Sequence, residues 1–159
     1  MIIIRIHTLD HSPSEFEGTE PMSFLDVEDD GMMSFPSDVH YQLRATLVSG
    51  GVLVEGLVGT RIAAQCGRCL KTFERDVVND KVCHFYENEN ITSDDLDISE
   101  DIREDLLLNL PLNPLCDDEC KGFCPHCGVY LNDSPCVCKL ENNDDDDIWD
   151  DLNKIKFEK

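Results

Sequence analysis

Nine cysteines are the residues best able to do chemistry in this chain. Six of them fall in the stretch from Cys116 to Cys138, CDDECKGFCPHCGVYLNDSPCVC. Cys66 and Cys69 form a separate CGRC pair upstream, and Cys83 stands apart. A tetrahedral zinc ion takes four thiolate or imidazole ligands, and a C-x-x-C turn supplies two of them. Cys124-Pro125-His126-Cys127-Gly128 has the form of a zinc knuckle. Gly128 lets the chain curl back so that backbone N–H groups point at sulfur and offset the thiolate charge. Cys136 and Cys138 complete that site from the next loop. Cys66 and Cys69 then join Cys116 and Cys120 in a second site. That pairing closes a loop of some fifty residues, whose entropy cost grows slowly with length. Zinc binding of roughly 10–16 kcal/mol far exceeds that cost.

Other readings of the cysteines compete with one or two zinc ions. A disulfide framework meets an odd cysteine count and an opening, MIIIRIHTL, that does not read as a secretory signal. Redox chemistry and an iron–sulfur cluster are two further alternatives. The partition of eight cysteines into two sites also stays open, since an interleaved cross-brace uses the same residues. His126 lies between two ligands and reads as a solvent-facing knuckle residue. Cys83, in an alternating segment, reads as a small buried hydrophobe. Four thiolates per metal leave no position for a catalytic water.

Charge narrows the partners. The formal net charge is −21, and two filled tetrathiolate zinc sites would take it to about −25. Nucleic acid should repel such a molecule at long range, and basic proteins should attract it. Residues 41–86 form the one net-positive block, with six bases against four acids. Arg61, Arg68, Lys71 and Arg75 are its candidate RNA contacts, set against an ordinary solvated strand face. No apolar run is long enough to span a membrane.

These residues need elements to position them. Residues 2–9, IIIRIHTL, read as a strand. Residues 10–38, rich in acids, Gly and Pro, read as a long loop anchored by Phe16, Phe24 and Leu25. Alternation from Val39 predicts a strand, Ser49-Gly50-Gly51 a hairpin turn, and Val52–Val58 a second strand. Gly59-Thr60 reads as a break before residues 61–65 lead into CGRC. Thr72–His84 reads as the returning strand, so Cys66 and Cys69 sit at a hairpin tip. Residues 87–99 read as an acidic loop. Ser99 reads as the N-cap of a helix whose Ile102, Leu106 and Leu110 share a face, ended by Pro111 and Pro114. After the acidic run ENNDDDD, the residues Ile148, Trp149, Leu152, Ile155 and Lys156 have helical spacing. That tail is too short to hold a helix alone in water.

Taken in order, several segments resemble the YceD family, named for large ribosomal RNA subunit accumulation. They are Val52-Leu53-Val54-Glu55-Gly56, CGRCL at 66–70 with Phe73, LPLNPLC at 110–116, GFCPHCGVYLN at 122–132 and the Trp149…Leu152…Ile155 tail. The resemblance covers roughly residues 40–156. Tyr130 stands where the family pattern has Asn, and Asp-Asp stands in the tail where the pattern has Asp-Pro-Arg. The resemblance implies a role in making or protecting the large ribosomal subunit, with no assigned enzymatic activity.

The expected fold is α+β, an antiparallel sheet or meander with a helix and a C-terminal Cys-rich zinc module. The expected division is a β-rich domain over 1–115, a zinc module over 116–140, and an acidic linker with a short tail helix over 141–159. The expected function is a cytoplasmic, non-catalytic factor in large-subunit biogenesis that meets a basic ribosomal protein or assembly factor. Direct binding of large-subunit rRNA is the second reading, and thiol redox enzymology the third. CGRC on a strand hairpin differs from a thioredoxin-like motif, which follows a strand and opens a helix.

Overall fold

The computed structural model describes residues 1–27 and 31–138. The acidic run and the amphipathic tail around Trp149 lie outside the described residues. The chain divides into two compact units, Met1–Cys120 and Lys121–Lys159.

The first unit is built on a five-stranded antiparallel sheet: β2 (Ser14–Glu20), β3 (Met33–Ser34), β4 (Val39–Val48), β5 (Gly51–Gln65) and β6 (Thr72–Glu87). Strand β4 lies between β2 and β5, and β6 pairs along the other side of β5. Two short strands, β1 (Ile3–Arg5) and β7 (Asp95–Asp97), make a separate antiparallel pair. One helix, α1 (Ser99–Leu108), follows β7. This is the antiparallel α+β meander that the alternation implies.

Alternation places the core. Val52, Val54, Val58 and Ile62 of β5 are fully buried, as are Val39 and Ala45 of β4. They cluster with Ile98, Ile102 and Leu106 at the helix and with Ile2, Ile4 and Leu25. Each such aliphatic side chain contributes about 1.5–3 kcal/mol of transfer free energy. Two ties add polar specificity between helix and sheet. His84 Nε2 and Asp105 Oδ2 are 2.7 Å apart, and the Tyr86 hydroxyl donates to Asp101 at 2.5 Å. Burial and that carboxylate together hold the Tyr86 phenol well above its usual range.

Tertiary structure departs from the local reading in several places. Residues 10–38 are not a structureless loop, because 14–20 pair as an edge strand with 39–45. Leu25 anchors this segment fully buried, with Phe16 and Phe24 packed against the core. The opening strand stops at Arg5, and Ile6–Thr8 turn as a 3-10 helix. Gly59-Thr60 does not break β5. A Cβ on Gly59 would meet His40 Nε2 and the Val77 carbonyl oxygen at 2.9 Å, so glycine there permits close packing. The buried Thr60 hydroxyl donates to the Ser37 and Asp38 carbonyls. Ser99 does not cap α1. Its N–H is taken by Asp97 Oδ1 at 2.9 Å, and its hydroxyl accepts from Ile2 N at 2.7 Å.

Cys83 is exposed, not buried. The β5–β6 register shifts between Gly56 and Val58, so that Asp80 and Lys81 together oppose Leu57. An extra residue moves every later side chain to the other face. Val77 is buried before the bulge and Val82 after it, which turns Cys83 outward opposite Glu55.

Candidate metal centres

Each cysteine turn is shaped by the same backbone pattern. At the β5–β6 tip, Cys66 N donates to the Lys71 carbonyl and Leu70 N donates to the Cys66 carbonyl, both at 2.9 Å. In the second unit, Cys124 N donates to the Val129 carbonyl at 2.8 Å and Gly128 N to the Cys124 carbonyl at 2.9 Å. Both turns therefore place residue four after the first cysteine at positive φ. Gly128 takes it at 72° without difficulty, whereas Leu70 takes it at 59° with a side chain. This repeat is not visible as sequence identity beyond the C-x-x-C spacing, because Leu70 and Gly128 do the same backbone work.

The first set is Cys66, Cys69, Cys116 and Cys120, whose four sulfurs all lie within 4.8 Å of one another. Cys66 and Cys120 sulfurs are 3.9 Å apart, and Cys69 and Cys116 sulfurs 3.6 Å apart. Cys66, Cys69 and Cys120 are buried. Three hydrogen bonds join the two chain segments, and two more shape the second. Gly67 N donates to the Pro114 carbonyl at 2.9 Å. Arg68 donates to the Cys120 carbonyl at 2.8 Å and the Asp118 carbonyl at 3.2 Å. Asp117 accepts from Glu119 N through its side chain and from Cys120 N through its carbonyl.

The second set is Cys124, Cys127, Cys136 and Cys138, again with all four sulfurs within 4.8 Å. Cys136 sulfur is 3.3 Å from that of Cys124 and 3.5 Å from that of Cys127. Cys124 is buried, Cys127 exposed and the other two half-buried. Gly122 also takes a positive φ, of 68°. Phe123 and Tyr130 bridge as an antiparallel pair with ring centroids 5.6 Å apart, and the Tyr130 hydroxyl accepts from Asn132 at 2.7 Å. Asn132 in turn accepts from Lys121 N at 2.7 Å. His126 is exposed and belongs to neither set.

Proton affinities within each set are spread apart. Burial pushes the Cys66 thiol up, but the N–H groups of Cys116, Cys69 and Arg68 aimed at it bring it down to about 6. Burial and the neighbouring sulfurs push Cys116 up to about 12. The N–H groups of Cys127 and His126 lower Cys124 to about 6. Cys136 receives the Cys138 N–H, yet the sulfurs of Cys124 and Cys138 push it up to about 12. Four packed thiols cannot all ionise without a cation among them. A divalent ion fits this donor set and must expel protons on entry, so acid favours release. Chelator titration at neutral pH is expected to empty the exposed second set before the buried first. Native mass spectrometry of the stepwise mass loss, with each set removed by mutation, checks the order; simultaneous loss or the reverse order contradicts it.

The candidate RNA contacts are not gathered on one surface. Arg61 forms a two-pronged pair with Asp76, at 2.7 and 3.3 Å. Arg61 opposes Asp76 and Ile62 opposes Arg75, so Arg61 and Arg75 lie on opposite faces of the sheet. Arg68 is engaged with the 116–120 segment, as above. Lys71 is exposed in the turn just before β6, where its carbonyl accepts from Cys66 N. CGRC joins two strands and opens no helix.

A sheet hairpin carrying one C-x-x-C turn and a cysteine-rich second unit carrying another define a protein with two tetrathiol centres. The chain belongs to the YceD family: the model for "Large ribosomal RNA subunit accumulation protein YceD" matches residues 54–156. That name implies a role in large-subunit rRNA accumulation. An uncharacterized protein of Mycobacterium tuberculosis (strain ATCC 25618 / H37Rv) is 28% identical over 146 residues, covering 84% of this chain and 66% of that protein. The chain thus spans just under two thirds of that relative's length. The Arabidopsis thaliana "Large ribosomal RNA subunit accumulation protein YCED homolog 1, chloroplastic" is 40% identical over 50 residues, 31% of this chain and 16% of that protein. Its Zea mays counterpart is 35% identical over 75 residues, 46% of this chain and 24% of that protein. No solved structure matches.

Proposed function

We propose that this chain is a non-catalytic, cytoplasmic factor in large ribosomal subunit biogenesis. Its acidic surface holds a basic ribosomal protein or assembly factor, and zinc in both cysteine sets holds the surface in shape. Formal net charge of −21 is the observation that carries the partner's chemistry. Opposite charge steers encounter and makes the complex sensitive to salt. Zinc suits four sulfurs in a closed site, and such a site leaves no open coordination position for a reacting water. No helix among the described residues is long and apolar enough to cross a membrane.

Affinity purification of the tagged chain tests this reading. A basic protein should be recovered at low salt after nuclease treatment, and lost at high salt. Recovery of large-subunit rRNA alone, or of no basic protein at low salt, would sink it. The first outcome would favour direct RNA contact, for which the Arg61 and Arg68 contacts described above give no support.

A further inference from the structure

One face of the sheet carries a trough of about 920 Å³. Strand register explains its form. Glu15, Arg44, Glu55 and Cys83 stand in one row across β2, β4, β5 and β6. Glu17, Gln42 and Leu57 stand two residues along, and the row closes on the Asp80–Lys81 bulge. The row between them, Phe16, Leu43, Gly56 and Val82, directs its side chains to the other face, so its backbone forms the floor. Gly56, with φ of 154°, lets the β4 and β5 backbones approach closely within that floor.

The walls hold four carboxylates and two cations. None of these six charged side chains forms an ion pair or side-chain hydrogen bond among the described residues. Arg61 and Asp76, farther along the same face, do satisfy each other. The trough therefore presents unmatched negative charge beside apolar surface from Leu57. Its length across four strands is about 14 Å, the reach of about four extended residues.

We propose that this trough is the docking site for an extended, Lys/Arg-bearing segment of the protein partner. The segment crosses the strands, places cationic side chains on Glu15, Glu17, Glu55 and Asp80, and seats an apolar side chain on Leu57. The proposal rests on the basic-partner reading above and adds the place of contact.

The test uses the full-length, metal-loaded chain and a short fluorescent peptide of alternating lysine and valine, followed by anisotropy at low salt. A Glu17→Lys/Glu55→Lys variant should weaken binding about tenfold or more, and a Glu89→Lys/Glu104→Lys variant of equal charge should stay within about twofold. Thermal melting establishes that both variants are folded. As a second measurement, Cys83→p-benzoylphenylalanine should crosslink the peptide on illumination, and Glu89→p-benzoylphenylalanine should not. Equal weakening in both charge variants would overturn the trough and leave the acidic-surface reading intact. No peptide binding by the wild type would also overturn the trough, while the affinity purification decides the broader reading separately. Crosslinking of an rRNA fragment at position 83, with peptide binding unchanged in the Glu17→Lys/Glu55→Lys variant, would overturn the proposal in favour of RNA.

Discussion

If the first cysteine set holds a metal ion, replacing Cys66 with serine is expected to remove it and to destabilise the first unit by about 4 kcal/mol or more. Cys66 is fully buried at the β5–β6 tip, and its set joins that tip to the segment from Cys116 to Cys120. Few apolar contacts are available to do this instead. Residues 114–116 are half-buried and 117–119 exposed, and the segment's hydrogen bonds to the tip are those of Gly67 and Arg68. A structural zinc ion contributes binding energy directly to folding, so losing a ligand weakens both. Serine keeps the size but is a poor ligand, which separates ligation from packing. Elemental analysis should report the missing ion, and thermal melting the lost stability. Cys83→Ser is the internal control, because Cys83 is exposed and outside both sets; it should change stability by no more than about 0.5 kcal/mol. Unchanged metal content and melting temperature in Cys66→Ser would remove the metal-tie account of this fold.

Gly56→Ala should cost about 3 kcal/mol or more, a large effect for one added methyl group. A Cβ at Gly56 would lie 2.2 Å from the Gln42 carbonyl oxygen and 2.8 Å from the Leu43 Cα. Both obstacles are backbone of β4, so neither can swing aside as a side chain would. Relief requires β4 and β5 to separate beside the bulge, in the middle of the core sheet. Gly128→Ala provides the contrast. Its φ is also positive, at 72°, but no atom lies within 4 Å of the added Cβ. That substitution should cost only the conformational penalty, about 1–2 kcal/mol. Urea unfolding of the two variants, each compared with wild type, measures the difference. Equal small losses would mean that the β4–β5 contact yields more readily than its spacing indicates.

Much of the fold was legible because its signals are local. Val39 to Val48, Ser49-Gly50-Gly51 and the following valines specify two strands and a turn through side-chain alternation and the positive φ at Gly50. The helix around Ile102 and Leu106 follows from spacing. The edge strand at 14–20 was not legible, because SEFEGTE is polar and contains glycine. It is a strand by virtue of its partner, 39–45. Cys83 fails for a related reason: alternation predicts a face only while register holds, and the bulge opposite Leu57 reverses it. Ser99 looks like an N-cap, but Asp97 two residues earlier reaches the helix N-terminus first.

The sequence by itself determined the cysteine inventory, the strand–turn–strand frame that presents CGRC, and the strongly acidic charge. These depend on residue type and short spacing, which any local stretch carries. Tertiary structure decided which four cysteines share a centre, which cations are already engaged, and where carboxylates from three strands gather on one face. Those are outcomes of register and long-range packing, where one extra residue at a bulge changes which side chains meet.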